Sequence, residues 1–175
     1  MALYWKCTHS ASVVSQTATQ ATIRVTCKWK NNGQTFDVNY VSAWVTCNGV
    51  EKKVATNVGV NATNSTSQSV ALGSSDFTIN KTHSAQNISC SAKITSSSTH
   101  QPGTQSSTAA TTSVAAKTSY AVTYDANGGN WAPQSQTKWH GEKLLLRHKP
   151  ATRDGYTFKL WNTKKTARLS SNPKR

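Results

Sequence analysis

Between Ala21 and Trp29 apolar and polar residues alternate without a break. Ile23, Val25, Cys27 and Trp29 fall on one side, Thr22, Arg24, Thr26 and Lys28 on the other. A period of two marks a strand with one buried face. Phe36 to Cys47 is a longer run that is apolar on both faces, with Val38, Tyr40 and Trp44 on one and Val41, Ala43, Val45 and Cys47 on the other. It predicts a central strand, or one that bends between two sheets. Asn48 and Gly49 accept the positive φ of a type I′ turn, so Val50 to Val60 reads as the return strand of a hairpin. Further strands are predicted at Ser69–Leu72, Phe77–Ile79 and Asn87–Thr95, the last with Ile88, Cys90, Ala92 and Ile94 facing one way. A polar stretch from Ser96 with a Pro102-Gly103 turn leads to a weakly alternating closing strand at Thr108–Ala116.

About seven short strands at a spacing of roughly ten residues predict an all-β chain whose residues 1–117 form an antiparallel, immunoglobulin-like β-sandwich. Cys27, Trp44 and Cys90 follow the Cys…Trp…Cys order of such domains, and alternation turns both cysteines inward. Cys27 and Cys90 are therefore a candidate core pair. The position two before Cys90 is Ile88, so a tyrosine corner is missing. The four cysteines, Cys7, Cys27, Cys47 and Cys90, allow three pairings, and spacing does not choose among them.

Composition narrows the picture. The 175 residues suffice for one ordinary domain and a small second one. With 22 Ser, 25 Thr and one Met, strand formers outnumber helix formers, which excludes an all-helical bundle. No run approaches the ~18 apolar residues of a membrane-spanning helix. The opening Met1-Ala-Leu-Tyr-Trp-Lys-Cys-Thr-His lacks the charged and apolar regions of a secretion signal. That predicts cytoplasmic folding with the four cysteines as thiols.

The net charge is +14 and unevenly placed: nine bases and three acids in residues 1–117, eleven and three in 118–175. After Asp154 there is no acid, while Lys159, Lys164, Lys165, Arg168, Lys174 and Arg175 follow. Such a field draws polyanions. No nucleic-acid recognition motif accompanies it, so no specific nucleic acid is expected. The five histidines and four cysteines lack metal-ligand spacing, and the six acids form no catalytic pair, so neither a metal nor another cofactor nor an enzyme is expected.

After a hinge at Lys117-Thr-Ser the character changes. Residues 118–175 begin Tyr120-Ala-Val-Thr-Tyr-Asp-Ala-Asn-Gly-Gly-Asn-Trp-Ala-Pro, and Lys149-Pro-Ala-Thr-Arg-Asp-Gly-Tyr-Thr-Phe-Lys-Leu-Trp comes later. Physically these are a strand, a tight turn at Gly128-Gly129 and a second strand around Leu144–Leu146. Tyr156, Phe158 and Trp161 then close a small core with Val122, Tyr124, Leu144 and Leu146. Residues 120–165 resemble the internalin B-repeat, also called the Listeria–Bacteroides repeat, whose pattern runs V-T-Y-x-A-N-G-G, A-P, then K-P-x-R-x-G-Y-x-F-x-x-W. The resemblance implies a small β-grasp-like module without catalysis, used as a spacer or binding unit in surface proteins. Two departures stand out: Leu160 replaces the usual Gly, and the residues beyond Lys165 leave the pattern, as in a module cut short.

Residues 1–117 resemble minor structural proteins of siphophage tails, through Trp5 in an initial strand, Phe77-x-Ile-x-Lys-Thr-His and Ile88-Ser-Cys-Ser-Ala. This implies a non-enzymatic virion component, in the tail or its tip, assembled in the host cytoplasm with other virion subunits and with copies of itself. Its C-terminal module would project to a host cell-wall polyanion or glycan. The second reading is a fragment of a secreted adhesin at a bacterial cell surface, and the third a polyanion- or nucleic-acid-binding module. Trp131, Lys138, Lys159, Lys164, Lys165 and Arg168 are the candidate binding residues, because an indole face stacks on sugar rings while nearby cations hold phosphate.

Overall fold

A computed structural model describes residues 4–33, 35–63, 67–99 and 102–163. Ten strands and no helix occur among them, and the chain divides into two compact units, Met1–Lys117 and Thr118–Arg175.

The first unit is a sandwich of two antiparallel sheets. One has the order β1-β2-β5, from Trp5–Gln16, Gln20–Asn31 and Ser69–Asn80. The other runs β4-β3-β6, from Val50–Ala62, Phe36–Cys47 and Gln86–Ser96. Both β7 (Gly103–Ser106) and β8 (Ala110–Val114) pair with the free side of β6. This is the immunoglobulin-like strand order with the fourth strand moved from beside the fifth to beside the third. The alternation of β2 holds as read: Ile23, Val25, Cys27 and Trp29 are fully buried, and Cys90, Ala92 and Ile94 of β6 face them across a common core. Asn48 (φ 51°) and Gly49 (φ 79°) make the expected hairpin turn. Ser69–Leu72 and Phe77–Ile79 are not two strands but one, β5, carrying a bulge where Gly73 meets Cys27.

β3 departs from simple alternation. Val38 and Val41 both point inward although they lie three apart, because Tyr40 takes a positive φ of 58° and resets the phase. Opposite it, Asn57 (φ 50°) bulges as well, and its amide donates to Ser42 Oγ at 3.3 Å. Tyr40 is left 63% exposed. With the phase reset, Trp44 lies on the solvent face, and it is not the core tryptophan that the Cys…Trp…Cys order implied. That place is filled from the other sheet by Trp5 and Trp29, both fully buried.

Cys27 and Cys90 share the core, but their sulfurs do not pair. Cys27 faces Cys7 of the neighbouring strand at 4.0 Å, and the Cys90 thiol approaches Cys47 Sγ at 3.2 Å. Each sulfur partner thus lies within its own sheet. The Cys7 thiol is held below its ordinary pKa, chiefly by its hydrogen bond with Cys27 and further by the Ser107 backbone, against the opposing effect of burial. The same contact with Cys7, together with burial, pushes Cys27 up, and burial with the Cys90 contact pushes Cys47 up to about 12.

Both open sides of the sandwich are stitched. Along β4 and β5, Lys52 Nζ donates to the Asp76 carbonyl at 2.7 Å and sits 4.6 Å over the Phe77 ring. Gly73 lets the two strands approach, since a Cβ there would lie 2.4 Å from the Val54 carbonyl oxygen. Along β1, Ser107 in the break between β7 and β8 is the clasp. Its Oγ accepts the Ala92 amide at 2.8 Å and meets His9 Nδ1 at 2.9 Å. Which of the two donates follows the His9 tautomer, and burial lowers the His9 pKa.

Candidate functional site

The second unit contains one two-stranded antiparallel sheet among its described residues, β9 (Ser119–Val122) paired with β10 (Gln136–Trp139). The second strand lies earlier than sequence placed it. Leu144–Leu146 is irregular chain, and its Leu145 and Leu146 are 91% and 44% exposed. Side chains bond the backbone at and just after this stretch. Gln136 Nε2 donates to the Leu145 carbonyl at 3.0 Å, and the Arg147 amide donates to Tyr124 Oη at 2.9 Å and Gln136 Oε1 at 3.0 Å.

Part of the aromatic core forms as read. Tyr124 and Phe158 both contact Trp161 edge-on, at ring separations of 4.9 and 5.0 Å. The Trp161 indole donates to the Arg147 carbonyl at 3.2 Å. Tyr156 lies outside this cluster, exposed and covered by the Arg153 guanidinium 4.4 Å from its ring. The Asp125–Asn130 turn is tied to Thr152 and Arg153. Asn127 and Gly128 take positive φ, and the Asn127 amide donates to Asp125 Oδ1 at 2.8 Å. Gly129 packs so tightly on the Thr152 carbonyl that a Cβ would lie 2.8 Å from its oxygen. Arg153 Nη1 donates to the Asn127 carbonyl at 3.1 Å.

Two open recesses flank this framework. The larger, of 640 Å³, is lined by Tyr124, Arg153, Tyr156, Phe158, Lys159 and Trp161, among others. The smaller, of 490 Å³, is lined by Trp131, Ala132, Pro133, Gln134, Arg147, His148 and Lys149. Its floor is rigid, since Pro133 is buried and Arg147 is fixed at both its amide and its carbonyl. Lys149 Nζ stands 4.6 Å from the centre of the half-buried Trp131 ring. The lining holds two permanent cations, a histidine and an indole face, and no carboxylate.

Of the residues sequence singled out, Trp131 is in this recess. Lys138 is not; its Nζ turns back to the Trp139 carbonyl at 3.0 Å. Lys159 lines the larger recess instead. Lys164, Lys165 and Arg168 lie outside the described residues. The cations that do accompany Trp131 are Arg147 and Lys149, sixteen and eighteen residues on. The uninterrupted basic run Arg147-His148-Lys149 was the available signal for them.

The sandwich carries a second aromatic surrounded by cations. Lys53 and Lys93 lie 5.2 and 4.9 Å from the Trp44 ring. There Lys93 is neutralised by Glu51 at 2.9 Å, so this cluster attracts anions less than the recess does. Among the described residues no group of three or more His, Cys, Asp or Glu is placed to hold a metal.

No curated protein and no solved structure matches the chain. The likeness of residues 1–117 to phage tail proteins has no support from these comparisons. Residues 120–174 match the Listeria-Bacteroides repeat domain family, and the match runs past Lys165, over the stretch that sequence read as leaving the pattern.

Proposed function

We propose that this chain is a non-enzymatic protein of a bacterial surface, in which the sandwich is a structural unit and the repeat contacts anionic cell-wall glycans. The repeat match is the finding that bears on location, because repeats of this kind are typical of bacterial surface proteins. The observation that carries the binding reading is the recess of Trp131, Arg147, His148 and Lys149. An indole face offers a platform for a sugar ring, and a guanidinium and an ammonium beside it complement phosphate or carboxylate. A phage tail component is the weaker placement: it keeps the same contact with a host wall polymer but rests on the residue likeness of the sandwich alone.

The reading is tested by sedimenting the purified chain with bacterial cell walls before and after their anionic polymers are extracted. Binding to intact walls that is lost on extraction is the expected result. Equal binding to both preparations, or none to either, would reject an anionic wall polymer as the ligand.

A further inference from the structure

We propose that Cys47–Cys90 and Cys7–Cys27 are disulfide-forming pairs, each joining two neighbouring strands of one sheet from its buried face. Cys47 and Cys90 are direct partners in the β3–β6 ladder. The Asn48 amide donates to the Ser89 carbonyl at 3.0 Å, so the hydrogen-bonded pair is one position along. Cys47 and Cys90 therefore occupy the non-hydrogen-bonded site, where opposing Cα atoms are closest and side chains converge. Their sulfurs stand 3.2 Å apart, inside van der Waals contact. In the other sheet Cys7 opposes Trp29 and Cys27 opposes His9. The two cysteines are diagonal neighbours on the inner face, with sulfurs 4.0 Å apart. Each pair already has its sulfurs within 4.0 Å, whereas Cys27–Cys90 would first have to abandon both contacts.

The oxidant is a disulfide, whether of a thiol–disulfide oxidoreductase or of oxidised glutathione. One cysteine thiolate attacks it, forming a mixed disulfide and releasing one oxidant thiol. The paired cysteine thiolate then displaces the second. The two cysteines together lose two electrons and two protons, and the oxidant disulfide becomes two thiols. All four cysteines are at most 5% exposed in the folded sandwich, so the exchange belongs to folding, before the sheets close.

The test is to refold the full chain in a buffer containing oxidised glutathione, alkylate remaining thiols without reductant, and map tryptic peptides by mass. Lys and Arg separate the four cysteines onto peptides 7–24, 25–28, 31–52 and 82–93. The expected products are 31–52 linked to 82–93 and 7–24 linked to 25–28, each two hydrogens lighter than its parts. Cys47→Ser should leave the second link intact and Cys90 alkylated. Four alkylated cysteines, or a link between 25–28 and 82–93, would overturn the proposal. One expected link without the other would overturn the missing pair. The map does not depend on glycan binding, so the two readings fail separately.

Discussion

At the scale of single residues, two positions are set by what surrounds them. Gly73 is required by the carbonyl of Val54 on the opposing sheet, a backbone group that cannot swing aside. Gly73→Ala is expected to destabilise the sandwich by about 1–3 kcal/mol, the usual cost of overpacking, measured by urea unfolding; an unchanged midpoint would contradict the close approach. Burial holds the His9 pKa below the ordinary value, and Ser107 Oγ lies 2.9 Å from its Nδ1. The unfolded chain therefore takes up a proton at about pH 6.5, before the folded one does. The stability His9 contributes is complete above that pH and is lost as pH falls through the folded value. Thermal melts from pH 7 to pH 5 should drop more for the wild type than for His9→Asn; parallel curves would show that His9 is not linked to folding. Neither residue announces itself in the sequence. Gly73 lies in a polar stretch that reads as a gap between two strands, and the partner of His9 is 98 positions away.

At the scale of elements, strict alternation was enough to place β2, β6 and the β3–β4 hairpin. It failed in β3, where one residue at positive φ exchanged inside for outside. Period-two reasoning carries no warning of such a bulge, since Tyr40 is an ordinary strand former. The core role of Trp44 rested instead on the Cys…Trp…Cys order, and the buried tryptophans are Trp5 and Trp29. Trp29→Ala should cost about 3–5 kcal/mol, as expected for a buried tryptophan. Trp44→Ala, on the solvent face, should cost about 1 kcal/mol or less. Chemical denaturation of the two variants distinguishes the structure from the domain-signature reading, which requires the larger loss at Trp44. In the repeat, the turn residues Asp125–Gly129 and the aromatic cluster were legible because a glycine turn and spaced aromatics have local signatures. The position of β10 was not, since Gln136–Trp139 carries no alternating apolar pattern, while the apolar Leu144–Leu146 is irregular and meets Gln136 through its Leu145 carbonyl.

At the scale of the whole molecule, the charge of +14 pointed to a polyanion but not to a site. Net charge places no residue beside another, and it drew attention to Lys159, which lines the other recess, and to Lys164, Lys165 and Arg168, which lie outside the described residues. What selects that recess is the meeting of Trp131 with Arg147 and Lys149, brought about by the hydrogen bonds that fix Arg147 to Tyr124, Gln136 and Trp161. On the proposed function, binding resides there and not in diffuse charge. This placement is tested most directly by titrating a phosphate-bearing cell-wall glycan polymer into the full chain and two variants of it. One variant combines Trp131→Ala with Lys149→Ser; the other replaces Lys159, Lys164, Lys165 and Arg168 by Ser. The expected result is at least a roughly tenfold loss of affinity in the first, equivalent to about 1.4 kcal/mol, with the second weakened less and mainly at low salt. The reverse order, with the recess variant binding as the wild type does and the tail variant losing affinity, would contradict it.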